Sequence, residues 1–127
     1  MEARDDILIS KATEALRNAY APYSRIKVGA AVRSASGKIY TGCNVENASY
    51  GLTVCAERIA IFSAVADGES DLETLAVVSH DIPEPLPCGA CLQVMDEFGV
   101  KQVLIGDARG HRTYQLSELL PKPFRLK

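Results

Sequence analysis

Apolar and polar positions alternate along the chain in patterns typical of helices and strands. From Asp5 to Tyr20 the apolar residues follow steps of three and four, which predicts a helix ended by Pro22. The same spacing predicts helices over Val54–Asp67, before Gly68, and over Cys88–Phe98, before Gly99. A shorter helix is predicted over Leu116–Leu120.

Short runs of β-favouring residues predict four strands between these helices. They cover Lys27–Arg33, Lys38–Asn44, Leu72–Ser79 and Val100–Ile105. The first two are separated by Ser34–Gly37 and are expected to form a hairpin. Four successive apolar residues, Leu75–Val78, indicate a strand buried on both faces. The alternation of strands and helices predicts an α/β layered domain with a mixed sheet.

Composition limits the classes of protein to which the chain can belong. Its 127 residues, 47% of them hydrophobic, suit a single domain over residues 1–127. Sixteen acidic against 14 basic residues give a net charge of −2, which argues against a nucleic-acid partner. The first ten residues lack the apolar core of a signal peptide, and no apolar run reaches the roughly 20 residues that span a bilayer. Four cysteines are too few for a disulfide scaffold, so we expect reduced thiols and a cytoplasmic location.

Three of the four cysteines have the spacing of metal ligands. Cys88 and Cys91 form a CxxC pair, and Cys55 lies 33 residues before that pair. A CxxC turn brings two thiolates together, and a distant third thiolate can complete three positions of a tetrahedral zinc site. Both motifs fall where helices are predicted to begin, and backbone N–H groups at helix starts favour thiolates.

Glu57 and Arg58 lie next to the expected ligand Cys55. A site with three protein ligands leaves a position for water, which favours a catalytic zinc over a structural one. Glu57 can then sit beside the metal and move protons. Since residues i and i+2 of a helix point in different directions, Cys55 is expected at the helix cap and Glu57 in the first turn. Arg58 can offset the net charge of −1 left by three thiolates and Zn²⁺, or it is a solvated surface arginine.

Other interpretations of the cysteines remain open at this point. Cys43 can be a fourth ligand of a structural Cys₄ zinc domain that acts as a binding module, although a small buried side chain is its usual role. A redox CxxC is a third possibility, but it leaves Cys55 and Glu57 without a role. His80 and His111 lack a partner at metal-binding spacing.

The combination of Cys-Ala-Glu with Pro-Cys-x-x-Cys resembles the zinc nucleoside and nucleobase deaminases. More specifically, the chain resembles the small tetrameric cytidine deaminases, in which the first ligand is cysteine. The resemblance covers Ala21–Val32, Thr41–Ile61, Pro87–Val94 and Glu118–Phe124, which is most of the chain. It implies a three-layer α/β/α cytidine-deaminase-like fold with a mixed central sheet.

The resemblance also implies a role for individual residues. Cys55, Cys88 and Cys91 would hold one Zn²⁺ per subunit, and Glu57 would transfer protons. Asn44 and Glu46 would bind the ribose hydroxyls, and the backbone near Ala56 would read the pyrimidine edge. A neighbouring subunit of a homotetramer would supply the remaining contacts with the substrate, from Ala48, Tyr50 and the C-terminal aromatic residue Phe124.

Two positions depart from the pattern of that family. Ile26 stands where an aromatic residue often stacks on the base, and Leu92 stands where an arginine is frequent. Ile26 can still pack on a base face, with less specific stacking. Leu92 leaves more of the charge compensation to Arg58.

The activity implied is hydrolytic deamination of cytidine and 2′-deoxycytidine in pyrimidine salvage, with no organic cofactor. A related deaminase that acts on a nucleoside antibiotic or a modified cytidine is the alternative within the same class of enzyme.

Overall fold

A computed structural model describes residues 3–107 and 109–126 of the chain. Four α-helices, five strands and one 3₁₀ helix follow one another within these ranges. In chain order they are α1 (Ala3–Leu16), β1 (Val28–Ser34), β2 (Ile39–Cys43), the 3₁₀ helix (Tyr50–Leu52), α2 (Ala56–Ala66), β3 (Leu72–Ser79), α3 (Gly89–Glu97), β4 (Gln102–Asp107), β5 (Gly110–Gln115) and α4 (Leu116–Leu119).

The strands form one mixed sheet in the order β2-β1-β3-β4-β5. The predicted hairpin is confirmed, because β1 and β2 pair antiparallel with Ala30 opposite Gly42. Strands β3 and β4 are parallel, so α3 is the crossover between them, and the other neighbouring strands are antiparallel. Seven of the eight residues of β3 are buried, in agreement with a strand covered on both faces.

Helices cover both faces of this sheet. Leu8 and Ala12 of α1 pack on one face, against a cluster that includes Ala76 and Leu104. On the opposite face, α2 and α3 bury a larger core that includes Ile61 and Met95. The three-layer α/β/α fold is therefore confirmed. None of the helices in the described ranges has the length and apolar character needed to cross a membrane.

Two glycines allow these helices to lie directly on the sheet. A Cβ at Gly29 would lie 2.0 Å from the carbonyl oxygen of Ala12 in α1. A Cβ at Gly42 would lie 2.5 Å from the nitrogen of Ala60 in α2. Any side chain at these positions would push a helix away from its strand.

The structure differs from the sequence-based expectations in three elements, the first being the 3₁₀ helix Tyr50–Leu52, which was not predicted. Strand β5 was not predicted, because it is an exposed edge strand whose residues follow no apolar alternation. Helix α1 ends at Leu16, whereas the apolar spacing predicts a helix to Tyr20. The reason is tertiary, since the Tyr20 amide donates to the carbonyl oxygen of Asn44, 2.9 Å away, instead of continuing the helix.

Candidate metal centre and active site

Two helices of the same layer begin at the cysteine cluster. Cys55 is the N-cap of α2 and Cys88 is the N-cap of α3, both with extended backbone. Cys91 follows in the first turn of α3 and is fully buried. The predicted position of Cys55 at a helix cap, with Glu57 in the first turn, is confirmed. The positive ends of two helix dipoles therefore point at the three thiols.

The separations of the three sulfur atoms fit a zinc ion. The Sγ atoms of Cys55 and Cys88 are 3.9 Å apart, and those of Cys88 and Cys91 are 3.6 Å apart. Ligands at about 2.3 Å from a tetrahedral zinc have sulfur atoms about 3.8 Å apart. A disulfide requires about 2.05 Å, so these cysteines are free thiols that can ligate a metal. The three ligand atoms lie within 4.8 Å of one another.

Nearby donors stabilise negative charge on the cluster. The Arg58 guanidinium donates from Nη2 to the Sγ of Cys55 at 3.4 Å. Hydrogen bonds from Cys91 and from Arg58 lower the pKa of Cys55 to about 5. The hydrogen bond with Cys55, together with burial, raises the pKa of Cys91. Cys55 is therefore a thiolate near neutral pH, and a bound metal favours the thiolate form of its cysteine ligands.

Glu57 is a buried carboxyl group beside these sulfur atoms. It is 4% exposed and lies in the first turn of α2, two residues after Cys55. Burial, with a smaller contribution from the Cys55 charge, raises the pKa of Glu57 from 4.5 to about 7. A carboxyl group with this pKa accepts and releases protons close to neutral pH, as general acid–base catalysis requires.

Asn44 and Glu46 lie on the segment that follows β2. The buried Asn44 amide accepts a hydrogen bond from the Val28 nitrogen at 2.9 Å and donates to the Ile26 carbonyl at 2.8 Å. The Glu46 carboxylate accepts from the backbone nitrogens of Tyr23 at 3.0 Å and Ser24 at 3.1 Å, and from the Ser24 hydroxyl. Both side chains therefore hold the segment before β1, a role that the sequence did not reveal.

The other predicted substrate residues differ widely in exposure. Ala56, the first residue of α2, is fully buried, and Ile26 is half-buried. Ala48 is exposed, and the Tyr50 and Phe124 side chains are 85% and 69% exposed. Only Ala56 of these residues adjoins the cysteine cluster in the sequence. The side chains of Ala48, Tyr50 and Phe124 thus lie on the surface of the single chain.

The C-terminal segment is attached to the helix that carries Cys91. The Gln93 amide donates to the Phe124 carbonyl at 2.8 Å and accepts from the Phe124 nitrogen at 3.1 Å. The Asp96 carboxylate accepts from two nitrogens of Arg125, at 2.8 and 3.0 Å. Sequence reasoning did not find this attachment, because contacts between residues 29 to 31 positions apart leave no periodic signal.

The rival metal ligands lie outside the cluster. Among the described residues, the cluster of potential ligands contains Cys55, Cys88 and Cys91, without Cys43, His80 or His111. Cys43 is half-buried at the end of β2, and burial raises the pKa of its thiol. These observations favour a three-cysteine site over a structural Cys₄ site.

Comparisons with known proteins agree with this geometry. The family model described as the cytidine and deoxycytidylate deaminase zinc-binding region matches residues 2–107. A cytidine deaminase of Halalkalibacterium halodurans is 47% identical over 122 residues, which are 93% of this chain and 92% of that protein. A cytidine deaminase of Mycobacterium tuberculosis is 43% identical over 121 residues, 95% of this chain and 90% of its own.

A solved structure agrees in fold as well as in sequence. The crystal structure of the cytidine deaminase from Burkholderia pseudomallei superposes with a TM-score of 0.89 at 45% identity. The superposition covers 98% of this chain and all of that chain. The three-sulfur cluster, the buried glutamate and the fold thus occur together in a chain that matches this family over most of its length. The chain belongs to the cytidine and deoxycytidylate deaminase family.

Proposed function

We propose that this chain, as a single deaminase domain over residues 1–127, catalyses the hydrolytic deamination of cytidine and 2′-deoxycytidine. The products are uridine or 2′-deoxyuridine and ammonia. The observation that carries the proposal is the burial of Glu57 beside three sulfur atoms spaced for zinc, in a chain of this family. The same proposal includes the residues that bind the substrate and the assembly of the chains.

Cys55, Cys88 and Cys91 hold one zinc ion per chain. When bound, zinc lowers the pKa of water and supplies hydroxide near neutral pH. Arg58 offsets the remaining negative charge of the thiolates through its contact with Cys55.

Glu57 carries the protons of the reaction. Its carboxylate accepts a proton from the attacking water and delivers it to N3 of the pyrimidine while oxygen adds at C4. A second transfer through Glu57 moves the hydroxyl proton from C4 to the amino group, which leaves as ammonia. In the metal-free site burial raises the pKa of Glu57 to about 7, so the carboxyl group can both accept and release a proton close to neutral pH. Burial of the carboxyl group keeps bulk water from competing for these protons.

The substrate is bound by residues of more than one chain. Asn44 and Glu46 bind sugar hydroxyls, Ile26 packs on the base, and the Ala56 backbone reads the pyrimidine edge. Ala48, Tyr50 and Phe124 contribute to the site of a neighbouring copy in a homotetramer. Five of the exposed large apolar side chains support this assembly, since they lie on connected segments. They are Tyr20, Tyr23, Val45, Tyr50 and Leu52, and Tyr20 and Val45 are joined by a β-bridge.

The assembly and the cellular role have their own tests. Sedimentation velocity is expected to give a species of four chains, and a monomer that is fully active would contradict the shared site. The enzyme acts in the cytoplasm in pyrimidine salvage, which agrees with the free thiols of the four cysteines. A strain that depends on cytidine as its pyrimidine source then requires this chain for growth.

A substrate panel tests the activity. Zinc-loaded protein is assayed with cytidine, 2′-deoxycytidine, adenosine, cytosine, guanine and a cytidine-type nucleoside antibiotic, by loss of absorbance and release of ammonia. Activity on the two cytidine nucleosides is expected. Activity on the antibiotic alone would replace the proposed substrate by the alternative, and inactivity on all cytidine nucleosides would refute the proposal.

A matched pair of glutamate variants tests the mechanism. Glu57→Gln is expected to keep one zinc per chain and to lose about 10²- to 10⁴-fold in turnover, because the amide cannot transfer protons. Glu14→Gln makes the same chemical change at an exposed site of α1 on the opposite face of the sheet, and should leave turnover unchanged. Near-normal turnover of zinc-loaded Glu57→Gln would remove Glu57 from the mechanism.

A further inference from the structure

The backbone just before and at the start of β1 is held by three side chains from two other segments, the end of β3 and the residue that follows β2. The Lys27 nitrogen donates to Asp81 Oδ2 at 2.8 Å, and the Ser79 hydroxyl donates to the Lys27 carbonyl at 2.8 Å. Asn44 bonds the backbone on both sides of Lys27, at Ile26 and at Val28. The segment that carries Ile26 is therefore fixed although it belongs to no helix or strand.

Ser24 connects this fixed segment to Glu46. Its hydroxyl accepts a hydrogen bond from the Ile26 nitrogen at 3.1 Å and donates to Oε2 of Glu46. The same carboxylate accepts the backbone nitrogens of Tyr23 and Ser24 on Oε1. Glu46 is thus held at both oxygens, and the hydrogen bond from Ser24 lowers its pKa, so it is ionised near neutral pH.

The number of acceptor positions that remain on Glu46 follows from these contacts. An ionised carboxylate has about four lone-pair positions, two on each oxygen. The two backbone nitrogens fill those of Oε1, and the Ser24 hydroxyl fills one of those on Oε2. A single acceptor position on Oε2 remains for a ligand. Glu46 and Ser24 both line an open cavity of about 330 Å³, together with Tyr23, Asn47, Tyr50 and Thr53.

We propose that Ser24 is a positioning residue for the sugar of the substrate. Its hydroxyl fixes the Glu46 carboxylate against the Ile26 segment and leaves one acceptor, aimed at one hydroxyl group of the nucleoside. This inference rests on the proposed function, because it takes Glu46 as a residue that binds the sugar. Without the Ser24 hydroxyl, Oε2 has two free acceptor positions and the carboxylate is held only at Oε1, so its selectivity for that hydroxyl weakens.

Three variants test this role through kinetics. Ser24→Ala is expected to raise KM for cytidine about tenfold with kcat nearly unchanged, since a charge-assisted hydrogen bond that orients the acceptor is lost. The penalty for removing a sugar hydroxyl, measured as the kcat/KM ratio of cytidine to 3′-deoxycytidine, should shrink in the same variant. Ser24→Thr keeps the hydroxyl and should restore both values.

Ser36→Ala is the matched control. The Ser36 hydroxyl also donates to a glutamate, Oε1 of Glu69 at 2.8 Å, but in the exposed turn between β1 and β2. This variant loses the same kind of contact at a distance from Glu46. It should keep the wild-type KM for cytidine and the wild-type ratio of kcat/KM between cytidine and 3′-deoxycytidine. The inference is overturned if Ser24→Ala has the same kinetic constants as Ser36→Ala. It is also overturned if Ser24→Ala changes kcat as well as KM and Ser24→Thr does not restore them.

A readout independent of activity separates the inference from the proposed function. The pKa of Glu46, followed by its ¹³C carboxyl shift, should rise in Ser24→Ala and stay constant in Ser36→Ala, because only the former loses the hydrogen bond that lowers it. An unchanged Glu46 pKa in Ser24→Ala overturns the inference. Wild-type protein that does not deaminate cytidine instead refutes the proposed function, whatever the Glu46 titration shows.

Discussion

Gly42 of β2 lies directly under the first turn of α2, so a methyl group there should displace this turn and disturb catalysis. In Gly42→Ala the new Cβ would lie 2.5 Å from the Ala60 nitrogen and 2.6 Å from the Ala56 oxygen. These atoms belong to the turn that carries Glu57. Since carbon needs about 3.5 Å from such neighbours, helix and strand must separate by about 1 Å.

The cost to stability and the cost to catalysis have different magnitudes. Overpacking of this kind destabilises a core by about 1–3 kcal/mol. Replacing glycine by alanine also lowers the conformational entropy of the unfolded chain, which stabilises the folded state by about 0.4–1 kcal/mol. The net loss of about 1–2 kcal/mol leaves a protein of ordinary stability folded at 20 °C. A displacement of about 1 Å in a catalytic group, however, lowers turnover by about 10²-fold.

Gly29→Ala is the control that separates the two effects. Its Cβ would lie 2.0 Å from the Ala12 oxygen, so it also overpacks the sheet, but it displaces α1 on the face without the cysteine cluster. Thermal unfolding by circular dichroism gives the stability of each variant, and cytidine absorbance gives kcat of the folded protein. Both variants should unfold earlier, and only Gly42→Ala should lose turnover. Wild-type kcat in a destabilised Gly42→Ala would refute this reasoning.

Three further predictions concern the metal, the buried carboxyl group and the C-terminal segment. Cys88→Ala should lower the zinc content measured by elemental analysis, whereas Cys43→Ala should keep one zinc per chain; equal zinc in the two variants would contradict the ligand set. In metal-free protein Glu57 has its pKa raised from 4.5 to about 7, so its stabilising effect is complete below pH 4.5 and is lost as pH rises through 7. The free energy of unfolding of Glu57→Gln, measured by denaturant titration, should therefore rise relative to that of the wild type by about 3 kcal/mol between pH 4 and pH 8. A difference between the two proteins that does not change with pH would count against a buried carboxyl group. Gln93→Ala should speed amide hydrogen exchange at Phe124, whose N–H it releases, and an unchanged exchange rate would show that this bond does not hold the segment.

Local sequence signals predicted the elements on which the metal site depends. The apolar spacing predicted helices that begin at Val54 and at Cys88, and the structure has Cys55 and Cys88 as the N-caps of α2 and α3. The buried strand β3 was equally visible, because four successive apolar residues need cover on both faces. Such features depend on residues close together in the chain, and resemblance to the family added the roles of the individual side chains.

Features that depend on long-range polar contacts could not be predicted in this way. Strand β5 is held by backbone pairing with β4 at the edge of the sheet, so its side chains carry no apolar pattern. The bonds from Ser24 to Glu46 and from Gln93 to Phe124 join residues 22 and 31 positions apart. Each uses a single polar side chain, and neither hydrophobic spacing nor turn composition reports such a contact.

Because two helices begin at the cysteine cluster, a zinc ion bound there as proposed would also cross-link the chain. Cys55 and Cys88 are 33 residues apart, with α2 and β3 between them. By the loop-closure relation for disulfides, a link over this length reduces the entropy of the unfolded chain by about 4 kcal/mol at 25 °C. That is a large share of the 5–15 kcal/mol that typically stabilises a small domain. Core variants that lose a few kcal/mol are then expected to fold in zinc-supplied cells and to be degraded in zinc-starved ones, so the metal supply sets how much variation the rest of the sequence tolerates.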